Sequence, residues 1–390
     1  MSHTPHLIGW AHSRFGKSEH ADVEALMAEV SLAAVRDAGF APGDIDAISV
    51  GVFGTDTSRQ RFEAALVGTG VPELAGIPAV RSENACATGS AALYAAFDMV
   101  EAGRARAVLV VGAEKMTRTP GADITDMLLG AAHLPTEGRF GSFPAVFAWL
   151  ARCYAERYGD PREALSRIAA KNHRNGVANP YAHLRRDLGL EFCSTASERN
   201  PLVADPLLRT DCSMVSDGAA AVVVAGPDLA GTARRAVRVR ARVQANDPMP
   251  ILSRPDPLAL AAARRAFRGA LTEGEVGLDD LDLIETHDCF TVAELLQYEA
   301  FGIAEPGKAS TVLADGLTEP GGSLPVNVSG GLKAKGHPIG ATGVSQHVLA
   351  SMQLVGEAGD MQLPRADLAA VFNMGGAAVA NYATVLEGLR

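Results

Sequence analysis

Short, nearly continuous apolar runs alternate along the chain with longer stretches of helical spacing. The runs Ala107-Val-Leu-Val-Val-Gly, Ala219-Ala-Ala-Val-Val-Val, Leu368-Ala-Ala-Val-Phe-Asn and 378–386 read as strands buried on both faces. The pattern occurs twice, over residues from about 22 to 116 and from about 257 to 376. In each copy an Ala/Leu/Arg-rich helical stretch leads to an acidic turn and a β-type run, Gly43-Asp-Ile-Asp-Ala-Ile-Ser-Val or Asp279-Asp-Leu-Asp-Leu-Ile-Glu-Thr. A short strand, a glycine-bearing turn and a helix of small residues follow, 86–99 in the first copy and 340–352 in the second, before the closing strands. Such alternation predicts an α/β body with largely parallel sheets covered on both faces. A helix lying between two sheets must be apolar all round, and Gly89, Ser90, Ala91, Ala92, Gly340, Ala341, Gly343 and Ser345 would let two backbones approach closely. The expectation is two similar halves about a pseudo-twofold axis, their small-residue helices sharing a central layer with converging N-termini. A site would then lie between the halves.

The repeat is interrupted by polar, proline-punctuated helical segments. This divides the chain into an N-terminal half (1–116 with 216–235), an inserted loop or lid region (117–215) and a C-terminal half (236–390). The insertion carries basic clusters, Lys171-Asn-His-Arg174 and Arg185-Arg186, that are candidate phosphate partners, although a charge run is usually a solvated face.

Composition narrows the function. Hydrophobic residues make up 47% and aromatics 5% of the 390, with 40 glycines, so the interior is built from closely packed Ala, Val and Leu. A net charge of -10 argues against nucleic acid as a partner. Five cysteines without a CxxC pair suggest neither a disulfide framework nor a structural zinc site, and fit a reducing, cytoplasmic setting. The N-terminal stretch lacks a signal pattern, the carboxyl end lacks a peroxisomal tripeptide, and no apolar run is long enough to cross a bilayer.

Four constellations carry candidate chemistry. Cys86, in Glu83-Asn-Ala-Cys-Ala-Thr-Gly-Ser, stands where an extended segment gives way to a helix. A helix start would lower its thiol pKa and expose it, making a nucleophile, whereas the competing reading is a small core residue. The glycine-dense run from Asn327 to Gly343 fits neither a P-loop nor a dinucleotide fingerprint. Its His337, fixed by Pro338 at a helix start, is a general base if pseudo-symmetry sets it opposite Cys86. His287-Asp-Cys-Phe290 ends a buried strand, where open α/β sheets place their chemistry, although His287 and Asp288 could instead cap the helix starting near Thr291. Finally, Asn373-Met-Gly-Gly376 forms a turn whose backbone N–H groups could face a ligand. Cys153, Cys193 and Cys212 read as structural.

Taken in order, ENACATGSAA, HDCF, NVSGG, GHPIGATG and NMGGA resemble the thiolase superfamily over nearly the whole chain, and HDCF points to its sterol-carrier-protein-type branch. Residues 171–183 and 205–220 look like that branch too. The resemblance implies a five-layered αβαβα sandwich of two duplicated halves with an inserted loop domain. It further implies a homodimer or homotetramer acting on acyl-coenzyme A and coenzyme A, without metal, redox cofactor or membrane. Carried over by motif, Cys86 would take the acyl group and His337 would serve as its base and as a donor toward the substrate carbonyl. Most thiolases have Asn-Glu where this chain has His287-Asp288, and a second catalytic cysteine where it has Asn373. In the sterol-carrier-type branch the HDCF cysteine is thought to replace it, making Cys289 the acid/base, with His287 helping to fix the water or donor that holds the thioester oxygen. By the same analogy the backbone N–H groups of Cys86 and Gly375 form an oxyanion pocket. The implied reaction is thiolysis of 3-ketoacyl-coenzyme A or its reverse Claisen condensation. A Cys-His-His condensing acyltransferase, and an acyl-coenzyme A or lipid-binding protein needing a small partner subunit, are the alternatives.

Overall fold

The computed structural model describes residues 4–54 and 60–389; the extreme ends, where the chain was read for targeting signals, lie partly outside them. Eleven strands occur among the described residues: β1 (His6–His12), β2 (Ala47–Gly51), β3 (Ala79–Ser82), β4 (Ala107–Glu114), β5 (Leu202–Ala204), β6 (Leu207–Leu208), β7 (Gly218–Ala225), β8 (Ala236–Asn246), β9 (Leu283–Glu285), β10 (Leu368–Gly375) and β11 (Ala380–Leu389). Nine of them hydrogen-bond in the order β3-β2-β4-β7-β1-β8-β11-β10-β9, while β5 and β6 form a separate hairpin.

The order reads nearly the same from both ends, because each half repeats one pairing scheme. β2 and β4 are parallel, as are β9 and β10; the pairs β4–β7 and β7–β1 are antiparallel, as are β10–β11 and β11–β8. The counterpart of β3 is a single parallel bridge between Ile284 and Val326. Where two separate sheets would be expected, His6 and Leu7 pair with Arg238 and Val237, so the halves share one continuous ladder at that edge.

Alternating side chains divide each half-sheet between two environments. Val108 and Val110 of β4 and Val222 and Val224 of β7 face inward, joining Leu93, Phe97, Val344 and Val348 from helices Thr88–Glu101 and Ile339–Leu354, and Val371 and Leu386 from the second half. Leu109 and Val111 face outward against Leu26, Val30 and Val35 of helix Val23–Asp37. On the far side, Phe372, Ala383 and Val385 meet Phe267 and Phe301 from helices Ala261–Glu273 and Thr291–Phe301. The five expected layers follow: outer helices, half-sheet, central helices, half-sheet, outer helices. Each such Val or Leu removed from water contributes roughly 1.5–3 kcal/mol.

The central helices meet through their small residues. A Cβ on Gly89 would lie 2.9 Å from the carbonyl oxygen of Gly340, and one on Gly343 would lie 2.3 Å from the amide nitrogen of Ser90. Their N-termini therefore converge, as the pattern predicts. No helix among the described residues is long and apolar enough to cross a membrane.

Candidate active site

Cys86 lies after β3 and two residues before helix Thr88–Glu101. The chain makes that corner with Ala85 at φ +49°, the left-handed region that an alanine enters only at a cost. The turn is fastened from several sides: Asn84 N–H donates to Thr88 Oγ1 (2.9 Å), Thr88 N–H to the Ala85 carbonyl (3.0 Å), and Ala87 N–H to the Asn84 carbonyl (3.1 Å). On the opposite side, helix Gly331–Lys335 ends at Gly336 (φ +108°), where a Cβ would meet Ser216 Oγ at 2.6 Å. His337 follows, and Pro338 starts the next helix. Glu114, at the end of β4, accepts from the N–H groups of Phe53, Gly54 and Gly340 and so ties the two halves together under the site.

One atom each of Cys86, His287 and His337 lie within 4.8 Å of one another. The two imidazole rings stand edge to face, 5.1 Å apart and inclined at 87°. Cys86, Cys289 and His337 line a common cavity of about 840 Å³, with His287 fully buried behind it. The geometry expected from the sequence, two thiols and an imidazole around one space, is present.

The hydrogen-bond network assigns the two histidines opposite tautomers. Thr342 Oγ1 spends its proton on the Pro338 carbonyl (3.0 Å), so at 2.6 Å it accepts from His337 Nδ1–H. His337 Nε2 is then a bare lone pair. Asn373 Nδ2, which donates to the Cys86 carbonyl (3.2 Å), also faces His287 Nδ1 at 2.8 Å, leaving the proton of that ring on Nε2. Neither Nε2 has a protein partner among the described residues. The site thus offers one base and one hydrogen-bond donor. Asn373 and Thr342 set this arrangement, and neither role was assigned from the sequence. A threonine five residues after a histidine, on the first helical turn, is the signal that was there to read.

Burial governs the electrostatics. It pushes the Cys86 thiol up to about 12, against a hydrogen bond from the Gly376 N–H that acts in the opposite direction. His337 is held down at about 3, by burial and then by the Lys335 ammonium. His287 is lowered and the Cys289 thiol raised, both chiefly by burial. The expectation of an exposed, acidified Cys86 is corrected here. The residue is 6% exposed, and the cost of a thiolate away from water outweighs the helix start. The resting pair is a neutral thiol and a neutral imidazole.

Other expectations change as well. Asp288 does not cap the helix at Thr291. It accepts from Leu332 N (2.6 Å) and Lys333 N (3.1 Å), capping helix Gly331–Lys335, and a Cβ on Gly331 would collide with it at 2.3 Å. Lys171 is no phosphate ligand: its Nζ is buried against Glu294 (2.7 Å), Tyr298 and the Val326 carbonyl, and Asn172 donates to Asp288 and Glu294. Arg174 pairs with Glu319, while Arg185 and Arg186 are exposed and outside the cavity lining. Asn373, Met374 and Gly375 belong to β10, and the turn begins at Gly376. A side chain at Gly375 would strike the Asn84 carbonyl at 2.3 Å. Cys212, read as structural, lines the cavity, with its sulfur 3.6 Å from the Leu208 carbonyl.

The insertion supplies much of the cavity wall. Gly121, Ile124, Thr125 and Leu128 form one face of helix Gly121–Leu129, joined by Phe143 and by Phe290, while Val203, Arg209 and Val215 stand at the mouth. Cys86 itself packs with Met116, Ile124 and Ile339.

A duplicated α/β body of five layers, with a thiol and an imidazole at the facing starts of its two central helices, defines the class of fold. Within that class, the chain belongs to the thiolase family: residues 7–228 match the family model "Thiolase, N-terminal domain" and residues 244–388 match "Thiolase C-terminal domain-like". It is 35% identical over 372 residues to an acetyl-CoA acetyltransferase of Methanothermobacter thermautotrophicus, covering 95% of this chain and 96% of that one. It is 32% identical over 390 residues to sterol carrier protein 2 of Homo sapiens, covering 95% of this chain and 69% of that one. Among solved structures, an Ltp2-ChsH2(DUF35) aldolase superposes with a TM-score of 0.79 at 23% identity, covering 99% and 98% of the two chains. Human mitochondrial 3-ketoacyl-CoA thiolase in complex with CoA superposes with a TM-score of 0.74 at 18% identity, covering 100% and 99%. At these identities the superpositions speak for the fold.

Proposed function

We propose that the protein is a thiolase acting on 3-ketoacyl-coenzyme A, by thiolytic cleavage or its reverse Claisen condensation, through a covalent acyl-Cys86 intermediate. The observation that carries this reading is the shared cavity of Cys86, Cys289 and His337, in which the free nitrogen of His337 is a base and that of His287 a donor. Cys86 gives its proton to His337 Nε2 as the sulfur adds to the keto carbon. The bond from that carbon to the α-carbon breaks, its electrons pass into the thioester enolate, and Cys289 S–H protonates the α-carbon. Coenzyme A then gives its thiol proton to the Cys289 thiolate and attacks the acyl-Cys86 carbonyl. The departing Cys86 sulfur recovers its proton from His337.

Negative charge gathers on oxygen in both halves of the cycle, and each preorganised donor aimed at it supplies a few kcal/mol. We assign His287 Nε2–H to the thioester oxygen and, by family analogy, the backbone N–H groups of Cys86 and Gly375 to the other, beside the Gly376 N–H that already reaches the Cys86 sulfur. A Cys289 thiol raised by burial is fully protonated at rest, as a proton donor to a carbanion must be. The apolar face of Ile124, Leu128, Phe143 and Phe290 supports acyl chains longer than acetyl. Acetoacetyl-coenzyme A should add one acetyl mass to the intact protein but not to Cys86→Ala; labelling of the variant would refute the assignment.

A Cys-His-His condensing enzyme makes its carbanion by decarboxylation and needs no base at Cys289, so unchanged turnover in Cys289→Ser would favour it. The aldolase neighbour has a second component in its name, and a partner subunit is a further possibility for this chain. We expect a homodimer or homotetramer, which light scattering on the purified chain would read directly.

A further inference from the structure

Lys335 has no exposed surface, and its Nζ has no hydrogen-bond partner among the described residues. A buried ammonium in that condition is costly and calls for a reason. It sits two residues before His337, at the end of the helix that delivers it. His12 and Phe15 face it from β1 and the segment beyond, with the Phe15 ring centre 6.0 Å from Nζ. Glu285, His287 and Asp288 face it from β9 and the segment that follows. The loop at His183 holds its backbone, His183 N–H donating to the Lys335 carbonyl.

The two carboxylates are committed elsewhere. Glu285 accepts from Ser329 N–H (3.1 Å) and Ser329 Oγ (2.6 Å), pinning the Asn327–Gly331 turn to β9. Asp288 caps helix Gly331–Lys335 and accepts from Asn172. Neither forms an ion pair with Lys335, whereas two other buried lysines of the region have partners, Lys171 with Glu294 at 2.7 Å and Lys333 with the Cys212 carbonyl at 2.6 Å. Burial lowers the pKa of Lys335, while Glu285 and Asp288 favour the ammonium through space without bonding to it.

We propose that Lys335 is a positioning residue of the acyl-transfer site, a buried cation behind His337 and His287 that keeps both imidazoles uncharged in the resting enzyme. It rests on the thiolase reading given above. When Cys86 passes its proton to His337 Nε2, the neighbouring ammonium makes the new imidazolium a stronger acid, so the proton returns readily to the Cys86 sulfur as coenzyme A displaces it. Burial and the Lys335 charge act in the same direction on His337, and on His287 the charges of both Lys335 and His337 add to burial.

The test is a pH titration of histidine ring signals in the full-length, isotope-labelled protein, with His337→Gln and His287→Gln giving the assignments. Lys335→Met should raise the His337 midpoint by about one pH unit. At pH 4.5 its protonated fraction would rise about eightfold, while Lys335→Arg should match wild type. In turnover, kcat of Lys335→Met should fall about threefold with KM unchanged. Identical His337 midpoints in wild type and Lys335→Met overturn the proposal. Should Lys335→Met fail to fold, Lys335→Gln makes the same comparison. The titration needs no turnover, so a protein without thiolysis would sink the thiolase reading while the histidine midpoints still decide Lys335.

Discussion

Thr342→Val tests the tautomer on which the chemistry of Cys86 depends. The substitution keeps the shape and removes the oxygen that accepts His337 Nδ1–H at 2.6 Å. A buried N–H left without a partner costs about 1–3 kcal/mol. The ring escapes that cost by moving its proton to Nε2, where it points toward the thiol and can no longer accept from it. A bias of that size leaves roughly one molecule in 5 to one in 150 with a usable base, because about 1.36 kcal/mol is a factor of ten. The assay is iodoacetamide alkylation of Cys86 at fixed pH, read by intact mass, alongside acyl-enzyme formation. Both rates should fall by that factor in Thr342→Val. Thr342→Ser keeps the hydroxyl, along with its bond to the Pro338 carbonyl, and should stay within about threefold of wild type. A valine variant that alkylates at the wild-type rate, or a serine variant that falls equally far, would refute the assignment of the base.

With the thiol at about 12 and His337 at about 3, the resting site is uncharged throughout the working range, so Cys86 alkylation, assisted by the neutral imidazole, should vary less than about threefold between pH 6 and 9. A shoulder near pH 6–7 would instead reveal a thiolate–imidazolium pair. Lys171→Met strips Glu294 of its buried cation and should destabilise the fold by about 3–5 kcal/mol in chemical denaturation, leaving KM for coenzyme A unchanged; a raised KM would restore the phosphate role. For the acyl chain, kcat/KM should climb up to about fourfold per methylene from four to eight carbons, as burial of about 0.8 kcal/mol each implies. Leu128→Trp, which fills that wall, should flatten the series. Equal slopes in the two proteins would remove Leu128 from the acyl path.

The frame was legible because it rests on local regularities. A strand that is apolar at every position, such as Ala107–Gly112, has to be covered on both faces, and a helix rich in glycine and alanine has to approach another backbone. Those two facts foretell covered sheets and a shared central layer in which helix N-termini meet, while the count of five layers came from the resemblance to thiolases. The site was legible in its residue types and less so in its energetics. Cys86 was placed at a helix start, where a dipole would acidify it, but nothing local says that Met116, Ile124 and Ile339 close over the sulfur. Long-range pairing escaped entirely. The basic run at Lys171 looks solvated until helix Arg162–Gly176 is seen against helix Thr291–Phe301, whose Glu294 takes the charge. Asn373 reaches a carbonyl 287 positions away in sequence, a partnership that no periodicity announces.

The duplication explains how one symmetric frame came to hold asymmetric chemistry. Helices Thr88–Glu101 and Ile339–Leu354 start at equivalent points, and by that register Cys86 and His337 occupy the same position in the two halves. Nucleophile and base are thus one structural position occupied twice, brought together by the axis at which Gly89 meets Gly340. The strands behind them show how the symmetry is broken. The pairings of Ala47 with Val108 and of Leu283 with Ala369 make Gly51 the counterpart of His287, and Gly112 the counterpart of Asn373. In the first half these are two glycines, paired across β2 and β4, against which the carbonyl of Gly340 packs; a Cβ on Gly112 would lie 2.6 Å from that oxygen. In the second half the same two positions carry an imidazole and a carboxamide bonded to each other, with the amide also donating to the carbonyl of Cys86. Glycines on one side let the helix bearing His337 sink toward the thiol, and side chains on the other fill the remaining space with a hydrogen-bond donor. Small residues at 51 and 112 thus admit the Gly340 turn, while the equivalent positions 287 and 373 carry the bonded pair that faces Cys86.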